Sequence, residues 1–245
     1  MLLNAETAIS TSKVLLVPYS KWHVPRYHEW MKDPEIQEAT ASEPLSLEEE
    51  YAMQRSWRQD PDKLTFIICR PVSGSSTSLT PQDDSPSNMI GDINLFLRVD
   101  DGEEGDSEPL IVGEIELMVA EKGNQRQGFG RAALLAFLRY VVDQEGRILE
   151  EFLAGDELAR EAMGKRKKEG DAGLRFSCLS VKIGQANGRS LALFEGAFFK
   201  RVTEEPNYFG EFELRRTDLG REGVDRGLEG AGVTGYVELE YERSE

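Results

Sequence analysis

Two glutamates, Glu114 and Glu116, stand two positions apart in an apolar run from residue 110 to residue 119. Apolar residues alternate with them, which indicates a β-strand with one apolar face and one face that carries both carboxylates. Like charges this close raise each other's pKa, as a general base near neutrality requires. The pair therefore indicates a proton acceptor, and an ion pair with a Lys or Arg on a neighbouring strand is the structural alternative.

The turn that follows this strand is a second candidate site. It reads Gln125-Arg126-Gln127-Gly128-Phe129-Gly130 and precedes an apolar helix predicted at residues 131–142. Successive backbone N–H groups at a helix N-terminus bind a pyrophosphate. Gly128 and Gly130 would keep side chains away from the phosphate, and Arg126 would add a charge-assisted contact. A plain glycine-containing helix entry is the alternative.

Composition excludes several classes of function. Acidic residues outnumber basic ones by 45 to 29, which argues against nucleic acid and anionic membranes as partners because both need a positive face. Cys69 and Cys178 lie inside apolar runs and are expected to be reduced core residues. His23 and His28 lie far from any cysteine or carboxylate pattern, so no metal is expected. Without a signal peptide or a membrane-spanning run, a cytoplasmic or nuclear location is expected.

The elements that must position these residues are strands and helices that alternate along the chain. Predicted strands cover residues 14–17, 65–69, 89–97, 110–119, 176–183, 197–202, 209–215 and 236–241, and predicted helices cover residues 24–31, 46–57, 131–142 and 189–195. The second helix starts with Ser46 and Glu49 spaced as a capping box. These elements predict one α/β domain over residues 1–245, with a central mixed sheet and helices on both faces.

Polar stretches interrupt these elements. Residues 71–87 and 100–109 are predicted to be loops, and residues 220–235 a further loop within a variable tail that starts near residue 217. Residues 143–173 are rich in Glu, Lys and Arg and include Lys165-Arg166-Lys167-Lys168. We expect this insert to be a solvated helix or a disordered segment with little to bury.

Two motifs resemble those of the GNAT acetyltransferases. Gln125-x-x-Gly128-x-Gly130 is similar to their Q/R-x-x-G-x-G/A motif. Asn187-Gly188-Arg189-Ser190, followed by Ala197-Phe198, resembles their later N-x-x-S/A…G-F segment, with Ala197 where glycine is usual. Further strings that match members of this family lie at residues 27–31, 40–45, 48–57, 91–97 and 113–118. The likeness runs from about residue 14 to residue 215, apart from residues 71–87 and 143–173.

The resemblance implies a mostly antiparallel mixed sheet and acetyl-CoA as co-substrate. The pantetheine arm would lie where the strand at residues 113–119 splays from the strand at residues 176–183. The implied cofactor-binding residues are Val119, Gln125, Arg126, Gln127, Gly128, Phe129, Gly130, Arg131 and Asn187. An Asx-turn is the structural alternative for Asn187.

The resemblance also implies that an amine attacks the thioester directly, without a protein nucleophile. Glu116 is then the first choice for the general base, directly or through water, and Glu114 is the competitor. Ser190 is the candidate proton donor to the leaving thiolate by its position in the later motif, with a helix-capping role as the alternative. No tyrosine takes the place where many of these enzymes keep their acid.

The relatives that the chain resembles are assigned to N-terminal acetylation of proteins, with tubulin as a proposed substrate. A protein or peptide amine is therefore the implied acceptor. An α-amino group of pKa about 7.8 is deprotonated far more often at neutral pH than a lysine of pKa about 10.4. A non-catalytic acyl-CoA-binding scaffold and a small-molecule amine acetyltransferase are the alternatives, and the presence of both glutamates favours catalysis over the scaffold.

Overall fold

The computed structural model describes residues 1–72, 79–100, 109–164 and 174–242. Strands in this part of the chain are β1 (Thr7–Ser10), β2 (Leu15–Pro18), β3 (Lys63–Cys69), β4 (Met89–Asp100), β5 (Leu110–Val119), β6 (Phe176–Gly184), β7 (Lys200–Arg201), β8 (Glu211–Arg216) and β9 (Val237–Glu240). The α-helices are α1 (Val24–Trp30), α2 (Pro34–Thr40), α3 (Leu47–Gln59), α4 (Phe129–Asp143), α5 (Glu145–Gly155), α6 (Glu157–Gly164), α7 (Gly188–Glu195) and α8 (Arg221–Gly230).

The strands form one sheet in the order β7-β8-β6-β5-β4-β3-β2-β1-β9. Among the described pairs, β5 and β6 run parallel and all others run antiparallel. A parallel pair needs a crossover connection, and the segment that contains α4, α5 and α6 supplies it. The expected mixed, mostly antiparallel sheet is confirmed.

Helices cover both faces of the sheet because the strands are apolar on both sides. Along β3, Phe66 and Ile68 join the core that α4 fills, whereas Ile67 and Cys69 join the core under α1. The Phe66 ring packs edge-to-face against Phe137 of α4, with ring centroids 6.1 Å apart. The expected helices on both faces are therefore confirmed.

Most predicted elements are present, and the structure adds two short elements, β1 and α2, that were not predicted. The capping box at the start of α3 is confirmed, since Ser46 N donates to Glu49 Oε2 at 2.8 Å and Glu49 N donates to Ser46 Oγ at 3.3 Å. β9 is a strand, as its alternating pattern predicted, and it pairs with β1 at the sheet edge. β1 is only four residues long, and α2 has no buried residue. Neither element gives the hydrophobic periodicity on which the prediction depended.

The expectation that residues 143–173 have little to bury is wrong for α5 and α6. Ile148, Leu149 and Phe152 of α5 are buried in the core beside α4. Their spacing places them on one helix face, but the charged residues around them hid that face in the composition. The basic run at residues 165–168 lies outside the described residues.

The predicted loop at residues 220–235 contains α8. Val224 and Leu228 bury one face of α8 against α4, and Arg139 of α4 forms an ion pair with Asp225. Glycines in and around this helix gave it the composition of a loop. At residues 197–202, where a full strand was predicted, only Lys200–Arg201 pairs with β8.

The expected loops at residues 71–87 and 100–109 connect antiparallel neighbours, although residues 73–78 and 101–108 lie outside the described residues. The end of the first loop is anchored to the core through Asp84, which is buried. Its carboxylate accepts hydrogen bonds from Trp22 Nε1 at 2.9 Å and from the Tyr241 hydroxyl at 2.6 Å.

Candidate active site

The turn between β5 and α4 leaves the first N–H groups of a long helix exposed at one point. Gly128 is the residue before α4 and has φ 85°, and Arg126 also has a left-handed backbone with φ 63°. The first N–H groups of a helix have no intrahelical acceptor, and no side chain in the described part of the chain caps those of α4. This is the arrangement that binds phosphate oxygens.

Gly128 and Gly130 contribute differently to this turn. A Cβ at Gly128 would meet no atom within 4 Å, so its backbone conformation and the open space beside it account for the glycine. A Cβ at Gly130 would instead lie 3.6 Å from Leu117 Cδ2 and from Val119 Cγ2. The position of a Cβ on Gly130 therefore lies against β5, whereas Gly128 borders open space.

Of the remaining residues of the turn, one anchors the turn to β5 and three have exposed side chains. Gln125 Nε2 donates to the Val119 carbonyl oxygen at 3.2 Å, which ties the turn to the end of β5. Exposed side chains are Arg126, Gln127 and Arg131, and Phe129 is buried. Two arginines thus lie beside the uncapped end of α4, where they can add charge to a phosphate site.

β5 and β6 separate partway along their length. Their parallel pairing runs from Ile111 opposite Phe176 to Glu114 opposite Ser180. Beyond that point, within the described strands, β5 pairs only with β4, and β6 pairs only with β8. The sheet therefore opens at the carboxyl ends of β5 and β6, and β5 leads from this opening directly into the turn before α4.

Glu114 lies at the last paired position and has a basic partner. Lys182 Nζ on β6 lies 3.0 Å from Glu114 Oε2. This is the ion pair that was the structural alternative for the two acids. The structure therefore gives Glu114 a contact across the β5–β6 pair.

Glu116 lies two residues beyond the last paired position and forms no ion pair among the described residues. Water reaches its side chain, yet enough protein surrounds it for partial burial to raise its pKa. The charge of Glu114 raises this pKa further, and Lys182 lowers it. Glu116 thus combines a raised pKa with an accessible carboxylate.

Asp92 on β4 was not singled out from the sequence, although it lies on the same face. The β4–β5 register places Asn94 opposite Glu116 and Asp92 opposite Met118. Asn94 Nδ2 donates to Asp92 Oδ2 at 2.7 Å, and Asp92 Oδ1 is buried without an acceptor or donor among the described residues. Burial and the charge of Glu116 raise the pKa of Asp92 to about 7. Polar residues at alternate positions of a buried strand were the available signal.

Tyr27 of α1 completes this group from the helix above the sheet. Tyr27 is buried, and burial together with the nearby charges of Asp92 and Glu116 raises its pKa well above the ordinary value. Hydroxyl, amide and carboxylate groups thus come together beside the opening of the sheet, from Tyr27, Asp92, Asn94 and Glu116.

The later motif forms the start of α7. Asn187 Oδ1 accepts a hydrogen bond from Ser190 N at 3.1 Å, so Asn187 caps this helix and Ser190 does not. Ser190 is half-buried, one turn before Leu193. Leu193 Cδ2 lies 3.7 Å from the position of a Cβ on Gly130. α7 therefore packs beside the first turn of α4, with Ser190 on the same face as Leu193.

The segment between β5 and the turn also holds α1 in place. Glu121 Oε1 accepts hydrogen bonds from Arg26 and, at 3.2 Å, from Trp30 Nε1. Lys122 forms an exposed ion pair with Glu35 of α2 at 2.7 Å. These contacts, which the sequence did not indicate, tie α1 and α2 to the segment that leads into the turn before α4.

The two histidines have packing roles. His23 is buried and accepts a hydrogen bond from Ser20 N at 3.0 Å, and His28 Nδ1 lies 3.8 Å from the buried carboxylate of Glu50. Within the described ranges, no three His, Cys, Asp or Glu side chains come together in a way that would hold a metal ion. No helix in those ranges is long and apolar enough to cross a membrane.

Comparison with known proteins places this site in a family. The family model for an acetyltransferase (GNAT) domain matches residues 13–199. The human alpha/beta-tubulin-N-acetyltransferase 9 is 40% identical over 218 residues, which cover 89% of this chain and 86% of the human protein. An N-acetyltransferase 9-like protein of Schizosaccharomyces pombe is 38% identical over 240 residues, covering 89% of this chain and 100% of its own.

A solved structure shares the fold at low sequence identity. The aminoglycoside acetyltransferase AAC(6')-Ib, solved with coenzyme A, aligns with a TM-score of 0.52 and 13% identity. The alignment covers 89% of this chain and 98% of that one. This likeness shows a shared fold, and the family model together with the two similar sequences shows that the chain belongs to the GNAT acetyltransferases.

Proposed function

We propose that this acetyltransferase uses acetyl-CoA to acetylate the N-terminal α-amino group of a protein, with tubulin as the first candidate. The observation that carries the proposal is the position of Glu116. It is the first carboxylate beyond the point where β5 and β6 part, and β5 leads from there into the uncapped start of α4. A proton acceptor and a phosphate-binding turn thus flank one opening.

The turn and the opening fit acetyl-CoA. The first N–H groups of α4, with Arg126 and Arg131 beside them, would hold the pyrophosphate. Asn187 and the end of β5 near Val119 would hold the pantetheine arm. The coenzyme A in the related aminoglycoside enzyme supports this assignment. When bound, acetyl-CoA supplies the activated acetyl group.

The residues of the chain would then accept and donate the protons of the reaction. Glu116 takes a proton from the attacking amine, directly or through water, and its raised pKa suits it to do so near neutrality. Glu114 and Lys182 set the local charge around Glu116. Ser190 is the candidate donor of a proton to the departing thiolate. No covalent acyl-enzyme is required.

An α-amino acceptor is favoured by its chemistry and by the relatives. An α-amino group has a pKa of about 7.8, so a base of modest strength can deprotonate it, whereas a lysine has a pKa of about 10.4. The human relative is named for acetylation of alpha/beta-tubulin. A location in the cytoplasm, where such an acceptor would be met, is part of the proposal.

A matched pair of peptides tests the acceptor. One carries a tubulin N-terminal sequence with a free α-amine and no lysine, and the other has a blocked α-amine and one lysine. We expect acetyl-CoA-dependent thiol release with the first only and an added acetyl mass on its first residue. Acetylation of the lysine alone, or of free polyamines and neither peptide, contradicts the proposal.

A further inference from the structure

A second cleft lies between the end of β8 and the start of α8. Its volume is about 360 Å³, which is within the range of small-molecule sites. Arg216 of β8 lines it and pairs with Leu179, which in turn pairs with Gly113 of β5. The lining residues of the cleft come from β7, β8, α8 and the segments beside them, whereas the candidate active site is formed by β4, β5 and the turn before α4.

The cleft concentrates positive charge in a chain of net charge −16. The cations that line it are Lys200, Arg215, Arg216 and Arg226. Among the described residues, only Arg215 has a carboxylate partner, Glu213 at 2.6 Å. Within the described ranges, Arg226 Nε donates only to the Glu222 carbonyl, at 3.4 Å, and a single acid, Asp218, lines the cleft. An anion would find several cations there without counter-charges of their own.

Arg216 gives the strongest support for an anion site because it is only 2% exposed. Its Nε donates to the Asp218 carbonyl at 2.8 Å and its Nη1 to the Ala197 carbonyl at 3.1 Å. Nη2 has no acceptor among the described residues. Burial lowers the pKa of Arg216, and the carboxylate of Asp218 offsets this only in part. A buried guanidinium that has only carbonyl partners is stabilised by an anion that enters the cleft.

Phe198 adds a flat apolar surface to this cleft. Its side chain is 62% exposed, and its ring centroid lies 6.0 Å from the Arg216 guanidinium carbon. The backbone at Phe198 is left-handed, with φ 65°, which a bulky residue rarely adopts. An exposed aromatic ring beside a guanidinium is a stacking surface for a planar ring.

We propose that this cleft binds a nucleotide, with Lys200, Arg216 and Arg226 holding its phosphates and Phe198 stacking on its base. The site is separate from the phosphate-binding turn before α4, so both can be occupied together. The inference does not depend on the acceptor proposed for acetylation.

Calorimetric titration at low salt tests this site, with ATP and inorganic pyrophosphate as probes and the protein saturated with coenzyme A. We expect both probes to bind. Arg226→Gln should weaken both by about tenfold, the loss of one charge-assisted contact. Arg55→Gln, on the exposed side of α3, is the matched control and should leave both affinities unchanged.

The variant Phe198→Gly distinguishes binding of the base from binding of the phosphates. Glycine accepts the left-handed backbone, so this variant should fold, bind pyrophosphate normally and bind ATP more weakly. Unchanged ATP affinity in Phe198→Gly overturns the nucleotide assignment. ATP binding that disappears in the coenzyme-saturated protein, or that Arg226→Gln and Lys200→Gln leave unaltered, overturns the site itself.

Discussion

Lys182 Nζ on β6 lies 3.0 Å from Glu114 Oε2 on β5, beside the last position at which the two strands pair. The contact distinguishes the two acids, of which the sequence analysis had made Glu116 the first choice for the general base and Glu114 the competitor. Glu114 is paired with a lysine, whereas Glu116, two residues further along, lies where β6 has already diverged. The divergence of the strands therefore leaves one carboxylate available at the opening.

Glu114→Gln should shift the pH dependence of acetyl transfer without abolishing it. The charge of Glu114 raises the pKa of Glu116, so its removal lowers that pKa. Because a base acts in its deprotonated form, the acid limb of the rate profile should move to lower pH. Lys182→Gln removes a charge that lowers the same pKa, so it should move the limb to higher pH. Shifts of the same sign in the two variants would contradict the assignment.

Gly128→Ala should weaken acetyl-CoA binding and destabilise the protein. The left-handed backbone at φ 85° costs an alanine about 1–2 kcal/mol. Gly123→Ala is the matched control in the same segment, since Gly123 is not left-handed and a Cβ there meets no atom within 4 Å. Calorimetry with acetyl-CoA and denaturant unfolding check both variants. Equal losses in the two would show that the conformation of Gly128 is not the cause.

Phe152→Ala should test whether the charged insert belongs to the core. Phe152 is 1% exposed, so its truncation should lower the free energy of unfolding by about 3–5 kcal/mol. Leu158, in α6, is 80% exposed, and Leu158→Ala should change the free energy of unfolding by less than about 0.5 kcal/mol. Denaturant titration of the two variants makes the comparison, and similar effects would mean that α5 does not pack as described.

Asp92→Asn should change how stability depends on pH. The folded state raises the pKa of Asp92 to about 7 from an ordinary value near 3.8, so folding favours the protonated form. That contribution is present below pH 4 and is lost as pH rises through 7, at up to about 1.4 kcal/mol per pH unit. Asp92→Asn removes this dependence, so the variant should gain stability relative to wild type between pH 4 and pH 8. Parallel stability curves would contradict the burial of Asp92.

The sequence predicted elements best where local signals agreed. The alternation around Glu114 and Glu116, the capping box at Ser46 and the glycine turn at Gly128 each depend on a few neighbouring residues, and all three have the expected local structure. The distinction between Glu114 and Glu116 was not accessible in this way. It depends on Lys182, nearly seventy positions away, and on the point where β6 leaves β5.

Long-range packing also explains what was missed. α8 contains several glycines, and only its contact with α4, through Val224 and Leu228, shows why it is helical. Asp92 and Asn94 alternate with apolar residues in β4, but only the β4–β5 register places them on the face of Glu116. Composition and periodicity do not report such pairings, because these are set by the order of strands in the sheet.

The most direct test of the account measures acetyl-CoA binding and thiol release in wild type, Glu116→Gln and Glu114→Gln with the same N-terminal peptide. All three proteins should bind acetyl-CoA with similar affinity, because neither acid lies in the phosphate-binding turn. Glu116→Gln should slow thiol release by about a hundredfold or more, as for loss of a general base, while Glu114→Gln retains turnover. Full turnover in Glu116→Gln would show that Glu116 does not take the proton of the attacking amine.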